Sequence, residues 1–117
     1  MPTRFLLVFS NPAPGQEEAY NRWYDEEHLD EIVAVPGFVA ATRYRLDDAQ
    51  LAGQPECPHR YLAIYEFEGD AEQAMERLGE ELASGRMALP DSIAAEQTRG
   101  WAFEALGERV TAPGATA

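Results

Sequence analysis

Arg4-Phe5-Leu6-Leu7-Val8-Phe9-Ser10 has the length of a strand, is rich in aromatic and branched side chains, and is apolar at every position from Phe5 to Phe9. Asn11, Pro12, Pro14 and Gly15 end it, since proline removes a ladder donor and glycine favours turns. A strand with one wet face alternates apolar and polar residues, so one that is apolar on both sides needs cover on both faces of its sheet.

From Gln16 to about Val35 the sequence turns acidic and helical, with Tyr20, Trp23, Tyr24, Glu27, His28 and Glu31 on one face at spacings of three, four and seven. Pro36-Gly37 stops that helix. Phe38 to Leu46 alternates, placing Phe38, Ala40, Thr42, Tyr44 and Leu46 on one side and Val39, Ala41, Arg43 and Arg45 on the other. Asp47 to His59 lacks periodicity and reads as a surface loop. Arg60 to Glu68 returns to strand character, with Tyr61, Ala63, Tyr65 and Phe67 facing one way and Leu62 and Ile64 the other. Asp70 is placed to cap a second helix that carries Ala71, Ala74, Met75, Leu78 and Leu82 as its stripe and ends near Gly85. Ala95 to Ala105 holds Trp101 and Phe103 at strand spacing, and there is no internal repeat.

The order β-α-β-β-α-β, with right-handed crossovers, predicts an α+β ferredoxin-like fold: a four-stranded antiparallel sheet with both helices on one face. A chain of 117 residues holds one such domain, expected over residues 1–108, with 109–117 as a flexible small-residue tail. Two helices leave the other face bare, and about 600 Å² of wet apolar sheet would forgo roughly 15 kcal/mol, comparable with a domain's whole stability. The simplest cover is a second copy, so a homodimer closing into a dimeric α/β barrel is expected.

Apolar residues make up 45% of the chain, so it should pack, and nine basic residues against 21 acidic ones give a net charge of -12. That field repels phosphate backbones and anionic lipid, so neither nucleic acid nor a membrane is expected as a partner. All nine basic residues are arginine, which reads as coding bias. Cys57 is the one cysteine, so no disulfide or thiolate cluster forms within the chain and a cytoplasmic setting fits. The apolar run near the start is too short for a span of about 20 residues and carries no leader cleavage pattern. Nucleotide-binding glycine loops, Gly-x-Ser-x-Gly and Cys-x-x-Cys are missing from the sequence, which argues against nucleotide cofactors and serine-hydrolase chemistry.

Chemistry concentrates in Tyr20-Asn21-Arg22-Trp23-Tyr24-Asp25-Glu26-Glu27-His28-Leu29, with Pro36-Gly37-Phe38 following. These residues resemble the EthD-like branch of the dimeric α/β-barrel superfamily, whose first helix carries Trp-Tyr-x-x-x-His ahead of Pro-Gly and a strand. The resemblance spans Arg4 to Ala105 and is most specific between Tyr20 and Arg45; relatives carry proline two residues after the histidine, where this chain has Asp30. It implies a pocket between helix one and the sheet with His28 pointing into it, in a superfamily that includes cofactor-free oxygenases, cyclases, isomerases, dehydratases and haem-binding enzymes. Fold alone does not select among those reactions.

From the residues themselves, His28 is the acid/base candidate, because its imidazole titrates near neutrality, and Tyr24 and Glu31 at four and three residues' distance are placed to orient it. Tyr20, Trp23, Tyr44, Tyr65 and Phe67 are candidates for the wall of an apolar substrate site. The acidic run Asp25 to Glu31 reads as a solvated face and no metal is expected, because no second histidine is near. Arg43 and Arg45 read as partners for Glu66 and neighbouring acids, or as anion binders. The leading expectation is a small enzyme without cofactor that transfers protons on a hydrophobic cyclic or aromatic carbonyl compound, as an isomerase, cyclase or dehydratase does. A non-catalytic protein that holds such a molecule, and a haem-binding or oxygenase member, remain open alternatives.

Overall fold

The computed structural model describes residues 3–115, so Met1, Pro2 and the end of the expected tail, residues 116–117, lie outside the described residues. The elements run β1 (Arg4–Ser10), α1 (Glu17–Trp23), a π-helical turn (Tyr24–His28), α2 (Leu29–Val33), β2 (Phe38–Arg45), β3 (Tyr61–Phe67), α3 (Ala71–Ala83), a 3-10 turn (Ala95–Gln97) and β4 (Arg99–Glu104). The strands form one sheet in the order β2-β3-β1-β4, with every neighbouring pair antiparallel. This is the ferredoxin-like α+β fold that the strand and helix pattern predicts. β1 is an interior strand, flanked by β3 and β4, which accounts for its unbroken apolar run.

The core lies between the helices and one face of the sheet. Leu6, Tyr61, Ala63, Tyr65 and Phe67 supply the sheet side, and Tyr20, Trp23, Tyr24, Ile32, Ala74 and Leu78 the helix side. α3 begins where Asp70 accepts a hydrogen bond from the Gln73 amide at 2.9 Å. Its stripe is shorter than expected, because Ala74 and Leu78 are buried whereas Leu82 is exposed at the last turn. The fourth strand starts at Arg99 rather than Ala95: Ala95–Gln97 winds into the 3-10 turn, and the Thr98 hydroxyl closes onto the Ala94 carbonyl.

β2 departs from the alternation expected of it. The ladder with β3 shifts between Phe38 and Ala40, a bulge that gives this strand one extra residue and rotates everything after it. Phe38, Ala41 and Arg43 therefore stand opposite the helix-facing Phe67, Tyr65 and Ala63, while Ala40, Thr42 and Tyr44 pair with the residues of the open face. Tyr44 is 49% exposed there.

That open face is a grid of unlike-length rows. Thr42, Ile64, Leu7 and Trp101 make one row, Tyr44, Leu62 and Phe9 a second, and Ala40, Glu66, Phe5 and Phe103 a third. Trp101 and Phe103 are more than half exposed. A shallow hollow of about 320 Å³ lies among Phe5, Leu7, Thr42, Tyr44 and Ile64.

The helix-to-β2 connection depends on Gly37, whose φ of +103° is hard for any residue with a Cβ, and a Cβ there would meet the Glu68 carbonyl at 3.4 Å. The Gly37 carbonyl also accepts from the Glu68 amide at 2.8 Å. Gly37→Ala should therefore lower stability by about 1–2 kcal/mol, read as a shifted midpoint in urea unfolding; an unchanged midpoint would show that the turn relaxes freely.

Candidate functional site

The helical rod from Glu17 to Val33 is not uniform. At its centre the Leu29 amide reaches back to the Tyr24 carbonyl, a five-residue hydrogen bond, where an α-helix would make a four-residue one. The consequence is geometric. Five residues at α-helical pitch subtend about 140° beyond a full turn, which would turn Trp23 and His28 to different sides of the rod. The wider turn instead stacks them, with ring centroids 4.3 Å apart and planes 20° from parallel. Such π-helical turns often occur at functional sites. Glu27, expected on the same inner face, is exposed to solvent, since the widened turn carries it outward.

His28 is buried between Trp23 and the edge of Tyr24, whose centroid lies 5.2 Å away. Its Nδ1 lies 3.1 Å from the Glu31 carboxylate. Burial pushes the imidazole pKa below its ordinary value, and the hydrogen bond and charge of Glu31 pull it part of the way back. The neutral ring therefore prevails near pH 7, and the carboxylate selects the tautomer in which Nδ1–H donates to Glu31, leaving Nε2 with a free lone pair. Tyr24 touches the imidazole by its ring edge, while its hydroxyl lies beside Ser10 and Tyr65.

Beneath α1 the hydroxyls gather. Ser10 and Tyr20 share a hydrogen bond of 2.5 Å. Burial pushes the Tyr20 hydroxyl pKa up to about 12 and raises Tyr24 and Tyr65 above the usual phenol range, so all three stay protonated. The Tyr65 hydroxyl is buried beside that of Tyr24, which polarises it without meeting full hydrogen-bond geometry. Over this group lies the Arg43 guanidinium, 4.6 Å from the Tyr24 ring centroid, 5.3 Å from Tyr61 and 5.5 Å from Tyr20. Arg43 donates to Asp25 and to Asn21, each at 2.8 Å. Its partners are thus on α1 and the π-helical turn and not Glu66, because the bulge turns Arg43 to the helix side. At the rim the Tyr61 hydroxyl donates to Glu17, which Arg60 also holds through two contacts.

Tyr20, Trp23, Tyr24, His28, Glu31 and Tyr65 thus come together, whereas two of the expected wall residues stand apart. Phe67 packs on Phe38 at 5.4 Å, at the Gly37 end of the core. Tyr44 is on the opposite side of the sheet from His28, for the reason of register given above. The space expected to be a pocket between helix and sheet is filled by Tyr20, Tyr24 and Tyr65 side chains. Ser10, Asn21 and Tyr61 belong to the cluster although they are not among the expected site residues, and Arg43, expected as an ion-pair partner or anion binder, joins them; Ser10 carries a signal, as the one polar group ending an apolar strand. Among the described residues no group of three or more His, Cys, Asp or Glu is placed to hold a metal, and no helix is long and apolar enough to cross a membrane.

No family profile and no curated protein matches the sequence. Solved structures do match its fold. An ethyl tert-butyl ether D (EthD) family protein from Bacillus halodurans superposes with a TM-score of 0.57 at 15% identity, over 91% of this chain and 100% of its own. A DABB family protein of ferredoxin-like fold from Mesorhizobium loti gives 0.58 at 15% identity, over 92% and 100%. A monooxygenase from Streptomyces coelicolor, in complex with the ligand nanaomycin D, gives 0.56 at 17% identity, over 95% and 93%.

The depressed pKa of His28 has a measurable sign. In the window between its lowered folded value and the ordinary 6.5 the unfolded chain binds more protons at this residue, so stability falls as pH drops through that window. His28→Gln should flatten the difference between urea midpoints at pH 7.5 and 5.5, and Glu31→Gln should steepen it by removing the group that raises the pKa. A pH dependence identical in wild type and His28→Gln would mean that the imidazole is not desolvated.

Proposed function

We propose that this protein is a small enzyme that transfers a proton on a hydrophobic cyclic or aromatic carbonyl compound without a cofactor, with Nε2 of His28 as the base. The observation that carries this reading is the neutral, buried imidazole held through Nδ1 by Glu31. A base must be unprotonated before it acts and stabilised after it, and this pairing does both: burial keeps the ring neutral, and the carboxylate stabilises the imidazolium once Nε2 has taken the proton. Trp23 and Tyr20 supply apolar walls and Tyr24 bounds the imidazole on its other side. Loss of a proton next to a carbonyl is the opening step of isomerisation, cyclisation and dehydration alike.

The solved neighbour that carries nanaomycin D supports a polycyclic aromatic ligand as the size class, and neighbours described as monooxygenases support an oxygen-using variant that begins with the same deprotonation. A second reading, a non-catalytic binding protein, is favoured by one observation: side chains fill the space around the hydroxyl cluster. Turnover separates the two. His28→Gln should lower the rate of proton exchange or product formation by roughly 10² to 10⁴ while the fold persists; a folded variant at full activity would remove His28 from the mechanism. The lone exposed thiol, Cys57, suits a cytoplasmic setting.

We further propose that a second copy covers the open sheet face, giving a homodimeric barrel. The rows around Leu7, Ile64 and Trp101 are apolar and uncovered, and a net charge of -12 disfavours casual association unless apolar burial outweighs it. Light scattering at micromolar concentration should return twice the 13.0 kDa chain mass, and Leu7→Glu should return one. A stable wild-type monomer would overturn this assembly.

A further inference from the structure

The open sheet face carries one acid and one base among its rows. Glu66 lies on β3 beside Ala40 and Phe5, and Arg99 lies on β4 beside Phe9. Among the described residues Glu66 has no ion-pair partner. Arg99 has none either, and its Nη1 donates only to the carbonyls of Glu96 and Thr98, at 2.9 and 2.8 Å. The two charges are placed symmetrically about Leu7. Glu66 is one strand to one side of it, at the register of Phe5, and Arg99 one strand to the other side, at the register of Phe9. A two-fold axis parallel to the sheet, passing over Leu7 at right angles to the line from Glu66 to Arg99, exchanges these positions. Each acid then faces the base of the other copy, and Leu7 faces itself, which is the form every isologous contact takes.

We propose that in the homodimer the partner's Arg99 enters the hollow beside Glu66 and pairs with its carboxylate, so that two such ion pairs, related by the axis over Leu7, fix how one open face lies on the other. This rests on the reading that a second copy covers that face. The hollow of about 320 Å³ is bounded by Phe5, Tyr44, Ile64 and Glu66, and so offers an apolar bed for the arginine stem and an acceptor for its guanidinium. A second copy laid down in another register would strip water from Glu66 without giving it a cation, which is costly. The apolar rows supply affinity, and the charges select one arrangement among several that the rows alone would allow.

Light scattering at micromolar concentration tests this through exchanged charges. Glu66→Arg alone and Arg99→Glu alone each set like charges opposite one another at both contacts, and should raise the dimer dissociation constant by roughly 10³-fold, leaving monomers. An equimolar mixture of the two variants should recover dimers, because in the mixed pair every contact again joins unlike charges, and the doubly exchanged chain should dimerise by itself. Dimerisation of either single variant as tight as that of wild type, or absence of dimer from the mixture while wild type is dimeric, would overturn the ion pair and leave the covered face standing. A wild type that stays monomeric would overturn both.

Discussion

Removal of polar groups from water beneath α1 is the constraint on which the rest of the structure depends. An imidazole, three phenols, a serine hydroxyl and a guanidinium lie between one helical rod and one sheet, and each needs a partner or a reason to lack one. The pairs Ser10–Tyr20 and Arg43 with Asp25 and Asn21 tie β1, β2 and the rod into a single arrangement, while His28–Glu31 is made within the rod. A rod slid by one turn would lose both of the pairs that cross from rod to sheet. The π-helical turn belongs to the same accommodation, because only the wider turn lets Trp23, Tyr24 and His28 all face inward.

The same burial sets the chemistry. Desolvation moves acids and bases in opposite directions, keeping the imidazole neutral and the phenols protonated. One environment thereby prepares a proton acceptor and a set of proton donors around the same Tyr24 side chain. Glu31 moderates the first effect, and Arg43, which favours the charged form of a phenol, moderates the second. Glu31 is about one-third exposed and Asp25, which holds Arg43, is mostly exposed, so both carboxylates stay partly in water, where they cost little to maintain.

The two faces of the sheet divide the labour. The helix side mixes aromatic rings with polar groups and is specific; the open side is mainly apolar, with Thr42, Glu66 and Arg99 among its rows. β1 contributes to both, Leu6 inward and Leu7 outward, which explains why an uninterrupted apolar strand stands at the interior of a small sheet. The bulge in β2 decides which of its residues serves which side, sending Arg43 to the site and Tyr44 to the open face.

The sequence by itself determined the element order, the ferredoxin-like sheet, the helix cap at Asp70 and the gathering of Tyr24, His28 and Glu31, because each rests on local spacing: period two, period three to four, or a breaker. Only the tertiary structure decided the bulge between Phe38 and Ala40, the π-helical turn that stacks Trp23 on His28, the pairing of Arg43 with Asp25 and Asn21, and the burial of the Tyr65 hydroxyl beside Tyr24. Those depend on how a strand and a helix distant in sequence fit against each other. A one-residue shift in a strand reverses its faces without altering any local pattern, so Tyr44 and Arg43 exchange roles through packing that no window of residues contains.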